Sequence, residues 1–279
     1  MLEFDTVEKL GRSTIQHGPL NNRIYLLKLD GADMPGLLLR MDQLARVRGY
    51  TKILAKLPEE MFPRFEESGY IREAVIPGLI RGKVSGGFLG KFLDSDRRRM
   101  PQTGWFRKVL KLIRDDAGCG LRSKKDLPIA CCTPADAAEI SRVYQRVFQS
   151  YPFPITDPEY VKKIMATHVR FYCVRSADRI VALASSELDE ENLNVEMTDF
   201  ATLPDHRTRG LAGYLLTKME SDMAALGMRT AYTIARAVSP GMNLVFSRGG
   251  YTLAGTLINN TQIAGGIESM HVWYKGLME

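Results

Sequence analysis

Phe200-Ala201-Thr202-Leu203-Pro204-Asp205-His206-Arg207-Thr208-Arg209-Gly210-Leu211-Ala212-Gly213-Tyr214-Leu215 is the stretch on which the reading of this chain turns. A strand pattern over 194–203 stops at Pro204. A helical pattern opens at Gly210, with Leu211, Leu215, Met219, Met223 and Leu226 on one face. The first turn of a helix carries unpaired N–H groups and a partial positive charge, which together hold phosphate. Gly210 permits close backbone approach, Ala212 keeps the next turn narrow, and Arg207 and Arg209 add positive charge. Taken alone, a strand, a loop and a helix with one glycine also describe ordinary packing.

Upstream of this stretch, strands are expected over 129–132, 169–175 and 180–188. A helix starting at Thr133-Pro134-Ala135-Asp136 runs to about 148, with an N-cap threonine and proline in the first turn, and a second helix covers 158–167. Downstream follow a strand over 230–235, a helix over 240–248 and strands over 251–258 and 268–275. The first 93 residues read as a smaller α/β unit. It has strands over 24–29, 53–57, 71–76 and 87–92, a helix over 35–48 stopped by Gly49, and a short helix over 58–68 closed by Gly69-Tyr70. Between them, 94–126 is basic. Arg97-Arg98-Arg99 and Lys124-Lys125 bracket an amphipathic run from Trp105 to Ile113, read as a connector with a solvated basic face. The expected domains are therefore 1–93, 94–126 and 127–279.

The chain has 279 residues, a net charge of +6, 45% hydrophobic and 25% charged residues. These values suit a soluble globular protein that meets anions. The acids in Met1-Leu2-Glu3-Phe4-Asp5 oppose a secretory leader, and no apolar run reaches membrane-spanning length, so a cytoplasmic protein is expected. Cys119, Cys131, Cys132 and Cys173 form no Cys-x-x-Cys pair and read as reduced core residues. His17, His168, His206 and His271 have no zinc spacing, so no metal is expected. Gly86-Gly87-Phe88-Leu89-Gly90-Lys91-Phe92 is one residue short of a P-loop and lacks the hydroxyl residue after lysine.

The pattern Arg207-x-x-Gly210-x-Ala212 between strand and helix resembles the pyrophosphate loop of the GNAT acyltransferases. The element order of 127–275 is similar to that family as well, as is Asn243-Leu244-Val245-Phe246-Ser247-Arg248-Gly249-Gly250-Tyr251, a helix ending in glycine and an aromatic. The resemblance implies an α/β (α+β) fold, a mixed twisted sheet flanked by helices. It implies acetyl-CoA as co-substrate, held by Arg207, Thr208, Arg209, Gly210, Leu211 and Ala212 at the pyrophosphate. Phe200, Ala201, Thr202 and Leu203 would lie along the pantetheine arm, with Asn243 and Phe246 nearby. A backbone N–H near Ala201 would polarise the thioester carbonyl. One departure stands out: where many members carry a tyrosine that protonates the leaving thiolate, this chain has Phe246. Tyr214, Tyr232 and Tyr251 are the substitutes, and Tyr251 is counted among the catalytic residues. For the general base, Glu196 or Asp199 is expected, with Glu187 a third option. Strand alternation places Glu196 and Asp199 on opposite faces unless a bulge intervenes.

The stretch 257–275 and the N-terminal pieces Met34-Pro35-Gly36 and Glu66-Glu67-Ser68-Gly69-Tyr70-Ile71 are similar to the β-lysine N-acetyltransferases, which acetylate the side-chain amine of β-lysine to give a compatible solute. An acceptor of that kind needs acids for its ammonium groups and a donor for its carboxylate. Glu187, Asn259 and Glu268 are the expected liners, with Asn260 and Arg236 beside them. The first segment also echoes the second from its helix onward, so it is read as a degenerate half-GNAT fold. Its counterpart of the phosphate loop is Asp30-Gly31-Ala32-Asp33-Met34-Pro35-Gly36, whose acids would repel pyrophosphate. Expected partners are a small-molecule amine and neither membrane nor nucleic acid; a homodimer is left open. The competing readings are a non-catalytic acyl-CoA sensor, motivated by Phe246, and an acetyltransferase of a protein or nucleic-acid-bound amine using the basic connector.

Overall fold

The computed structural model describes residues 4–100, 103–116, 119–121 and 128–277. Lys124, Lys125 and the start of the expected GNAT unit at 127 lie outside the described residues. In chain order the strands are β1 Thr6–Leu10, β2 Ser13–Gly18, β3 Arg23–Lys28, β4 Lys52–Pro58, β5 Ile71–Ile80, β6 Val84–Phe92, β7 Ile129–Cys131, β8 Val169–Ser176, β9 Arg179–Asp189, β10 Asn194–Thr202, β11 Thr230–Arg236, β12 Thr252–Ile263 and β13 Gly266–Gly276. The helices are α1 Gly36–Arg48, α2 Phe62–Glu66, α3 Ser95–Arg98, α4 Thr103–Asp115, α5 Ala137–Val147, α6 Pro158–Met165, α7 Leu211–Ala225 and α8 Pro240–Arg248.

All these strands join one 13-stranded mixed sheet, in the order β1-β2-β3-β4-β6-β5-β12-β13-β11-β10-β9-β8-β7. Two pairs are parallel, β3 with β4 and β10 with β11, and each is bridged by a helix, α1 and α7. The connectivity of β3-α1-β4-α2-β5-β6 repeats that of β10-α7-β11-α8-β12-β13. In each half the fourth strand of the unit lies between the second and the third. The halves meet edge to edge where β5 pairs with β12, in register at Ala74 and Gly255.

Each half buries its own helices. In the C-terminal half Leu211, Leu215, Leu216, Met219 and Met223 of α7 pack against Val195, Met197, Ala231 and Trp273. On the other face Ile140, Val143 and Tyr144 of α5 cover Phe171, Leu183 and Ala201. In the N-terminal half Leu37, Met41 and Ala45 of α1, with Phe62 and Phe65, cover Ile24, Leu26, Ile53 and Ala55. Helix α1 stops at Gly49, whose left-handed backbone (φ 70°) lets its N–H reach back to Ala45 and Arg46. A fourth cluster, with Leu54, Ala74, Phe88, Tyr232, Leu257 and Val272, seals the joint.

Several expectations change. Strands β1 and β2 add to the expected set. Asn259-Asn260, which also suits a turn, lies inside β12 at a bulge between Leu257 and Thr261. The basic segment is not uniformly a solvated face. Arg97 is 8% exposed and donates to the carbonyls of Asn259 (2.7 Å) and Asn21 (2.8 Å) and to the Thr51 hydroxyl (3.0 Å). Further along, Trp105 donates to the Val238 carbonyl and Asp116 holds Arg248 through two hydrogen bonds. Of the four cysteines expected in the core, Cys119 and Cys131 are exposed.

Candidate active site

Strands β10 and β11 pair only at Asn194, Val195 and Glu196 and then diverge, so the β11-facing edge of β10 is open from Met197 onward. At the same place β10 bulges against β9, between Thr198 and Ala201, with Asp199 in left-handed backbone (φ 57°). A bulge resets strand alternation. It therefore brings Glu196 and Asp199, which strict alternation would separate, to one cleft with Glu187, directly across from Glu196 on β9. The cleft has a volume of about 1090 Å³ and runs between the halves of the molecule.

These three carboxylates differ in what surrounds them. Asp199 accepts hydrogen bonds from the hydroxyls of Tyr151 and Ser185 (2.6 Å to the latter), with Thr198 at 3.3 Å. Burial pushes its carboxyl above the ordinary range although those hydroxyls pull it down. Glu196 is pushed up to about 8, by burial first and then by the like charge of Glu187, with Lys56 acting the other way. Glu187 has His168 at 3.4 Å, and this carboxylate raises the imidazole above its usual value.

Beyond the bulge, the loop into α7 is shaped for an anion. Thr208 and Gly210 have positive φ (63° and 77°), no side chain caps the helix N-terminus, and its first turn has no acid. Arg207 and Arg209 stay at the surface, tied loosely to the carbonyls of Thr202 and Asp205. Leu211 is buried under the loop, so of the expected set it anchors the helix while its backbone stays at the turn. The open edge at Phe200–Thr202, with Leu203 after it, leads from this loop toward the carboxylates. Phe200 meets Phe246 edge-on at 5.6 Å, and both line the cleft.

Four of the expected site residues sit elsewhere. Asn243 is fully buried. Its amide donates to the carbonyls of Arg236 and Ser239, and its oxygen accepts from the Trp273 indole, so it is held inside the fold and does not line the cleft. Tyr251 packs behind Phe246 at 5.2 Å, beneath the Lys275 ammonium and beside Glu220, in the α7 core rather than the cleft. Of the tyrosines considered as proton donors, Tyr232 is the one that lines the cleft. Glu268 does not line it either: both its oxygens grip Arg236, at 2.6 and 2.8 Å. Asn259 is locked by the carbonyls of Arg97 and Arg99. The opposite wall of the cleft comes from the N-terminal half, through Gln16, Arg23, Tyr25 and Lys56, none of them among the expected site residues. Their only sequence signal is period-2 alternation in β2, β3 and β4, and Gln16, Arg23 and Lys56 are of types that ordinarily face water.

Residues 138–243 match the model of the acetyltransferase (GNAT) family. The chain is 36% identical to the β-lysine N(6)-acetyltransferase of Methanococcus maripaludis, over 98% of this chain and 99% of that one. It is 30% identical to the N-acetyltransferase YodP of Bacillus subtilis, over 95% and 96% of the two chains. A second β-lysine N(6)-acetyltransferase, from Methanosarcina mazei, is 29% identical over 81% of this chain and 91% of its own. An open strand edge, a bulge bearing carboxylates and an uncapped glycine-opened helix thus coincide with full-length likeness to acetyltransferases: the chain belongs to the GNAT family and is an N-acetyltransferase that draws its acetyl group from acetyl-CoA.

Proposed function

We propose that this enzyme acetylates the N6 amine of β-lysine, giving N6-acetyl-β-lysine. The observation that carries the reading is the likeness to two β-lysine N(6)-acetyltransferases, over 98% and 81% of this chain, joined to a cleft lined by three carboxylates beside the open edge of β10. A cationic amine is drawn to such a lining.

Acetyl-CoA supplies an activated thioester. The backbone N–H groups from Thr208 to Ala212, with Arg207 and Arg209, hold its pyrophosphate, and the edge from Phe200 to Leu203 lies along its pantetheine arm. Ala201 offers its N–H to the thioester carbonyl. Glu196 acts as the base that takes the proton from the attacking ammonium, directly or through water. Its elevated value, about 8, matches that task near neutral pH. Asp199, with its oxygens engaged by Tyr151 and Ser185, positions the site rather than moving the proton. Phe246 has no proton to give, so coenzyme A leaves as the thiolate; Tyr232 is the candidate tyrosine that lines the cleft, and burial makes its phenol a weaker acid. In this reading 127–279 carries the chemistry, 1–93 is a repeat that holds no pyrophosphate and closes the acceptor side, and 94–126 ties them together.

The test is a panel of amines assayed by release of free thiol: β-lysine, lysine, spermidine and a lysine peptide. β-Lysine should give the highest kcat/KM, with the acetyl group on N6 by mass spectrometry. Preference for the peptide, or acetyl-CoA binding with no turnover of any amine, overturns the reading.

A further inference from the structure

We infer that the N-terminal repeat reads the acceptor's carboxylate end, through a polar subsite made by Arg23, Gln16 and Asn260; this rests on the acceptor being an amino acid, as proposed above. Arg23 opens β3 and is 5% exposed, yet it lines the cleft. Its direct contacts are uncharged: the Asn260 carbonyl at 2.6 Å, the Thr261 hydroxyl at 3.4 Å and the Tyr25 ring at 5.2 Å, while the carboxylates of Asp5 and Glu73 act on it from beyond ion-pair distance. Its Nε has no partner. The cleft's other cations are already paired, Arg236 with Glu268, Lys28 with Glu191, Lys56 with Asp189 and His168 with Glu187. Among the described residues, Arg23 is thus the one cleft cation with no carboxylate partner. A buried guanidinium left in that state is costly, and a carboxylate arriving with the ligand relieves it.

Two amides beside it tell the same story. Gln16 is 2% exposed, and neither its oxygen nor its nitrogen has a partner. It stands directly across from Tyr25 in the β2–β3 register, on the face that carries Arg23. Asn260, also 2% exposed, leaves its side-chain oxygen unpartnered. Buried amides normally find partners, and both line the cleft. An acceptor that is carboxylate and amine at one end and amine at the other suits this layout. The carboxylate takes Arg23 and the Gln16 nitrogen. The retained ammonium takes the two amide oxygens, and the reacting amine reaches Glu196. Tyr25, with the Arg23 guanidinium over its ring at 5.2 Å, lines the same cleft as Glu196.

The experiment compares β-lysine with 1,4-diaminopentane, its decarboxylated analogue, in wild type, Arg23→Met, Arg23→Lys and Gln16→Met. Arg23→Met should lower kcat/KM for β-lysine by roughly 100-fold and leave the diamine within about twofold. Arg23→Lys should recover part of the loss. Gln16→Met breaks no bond within the protein, so it should melt at or above wild type while losing about 5- to 10-fold on β-lysine alone. Equal losses on both amines, or no loss on either, overturn the subsite. Should wild type prefer another amino acid over β-lysine, with the same Arg23 dependence measured against that acid's decarboxylated amine, the acceptor proposal falls and the subsite stands. If wild type works equally well on the amine with and without its carboxylate, the subsite falls.

Discussion

The two halves of this sheet have the same connectivity and opposite fittings at the same place. In the C-terminal half, β10 shares three register pairs with β11 before splaying, and the chain enters α7 through Thr208, Arg209 and Gly210 with no acid at the helix start. In the N-terminal half, β3 pairs with β4 over four of its six residues, and the chain enters α1 through Asp30 and Asp33. Asp33 there accepts from the backbone N–H groups of Arg12 and Ser13, the Ser13 hydroxyl and Arg40. These partners, the Ser13 hydroxyl foremost, hold its carboxyl well below the usual range. The β1–β2 turn closes over it so tightly that a side chain on Gly11 would collide with that carboxylate. One half leaves amides for an outside anion. The other fills the equivalent place with its own carboxylates. On the proposed reading a shared topology does not by itself carry a binding site; the splay and the loop residues do.

The largest expected effect comes from giving the second half's loop the acid of the first. Gly210→Glu puts a carboxylate, and a side chain in left-handed backbone, at the pyrophosphate turn. Acetyl-CoA affinity should fall by at least about 100-fold, as a like-charge repulsion is added and the backbone donors are obstructed. Unchanged affinity by calorimetry would show that the pyrophosphate sits elsewhere.

Glu196 and Tyr25 hold corresponding register positions in the two parallel pairs, and only the former can take a proton. Glu196→Gln should cost about 10²- to 10⁴-fold in kcat/KM. A base works when ionised, and this carboxyl is raised to about 8. Wild-type kcat/KM should therefore rise with pH through a midpoint near 8 and be lost below it, and the variant's profile should lose that step. A wild-type profile flat from pH 6 to 9 would exclude Glu196.

A smaller effect concerns the joint. Arg97 fastens the β12 bulge to the loops before β3 and β4, and Lys52 fastens the same bulge through Glu73 and the Ile258 carbonyl. Arg97→Ser leaves several buried acceptors bare and should destabilise by about 2–4 kcal/mol. Arg98→Ser and Arg99→Ser should lie within about 0.5 kcal/mol of wild type. Denaturant melts of the three variants check this; equal effects would return the whole run to a solvated face.

The smallest effect should come from the first half's own acids. Asp30→Asn with Asp33→Asn should leave acetyl-CoA affinity within about twofold, since distant sites act independently. A gain in affinity or a second binding event would show that only those charges silence the N-terminal repeat.

How far the sequence can be read follows from the same contrast. The loop into α7 is legible because glycine, flanking arginines and a helical apolar face each have a local cause. The repeat is legible from α1 onward for that reason. Strands β1 and β2 are not, since Thr6–Leu10 is an exposed charged edge and Gln16 and His17 are polar yet buried. Burial of that kind is decided by what packs across the cleft, not by the segment. Strand order alone puts Glu268 and Asn259 at the acceptor. The β12 bulge turns Asn259 onto the carbonyls of Arg97 and Arg99, while Glu268 on β13 grips Arg236; neither the register shift nor the cross-strand pair leaves a mark in composition. The bulge at Asp199 is legible only as a condition, the one under which Glu196 and Asp199 share a pocket.

In the proposed reading two like-folded repeats divide the work, one holding acetyl-CoA and the other facing the acceptor. Titration calorimetry of acetyl-CoA into the full-length wild-type chain tests this division most directly. One site per chain is expected, abolished by Gly210→Glu and untouched by Arg23→Met. Two sites per chain, or one that survives Gly210→Glu, would contradict it.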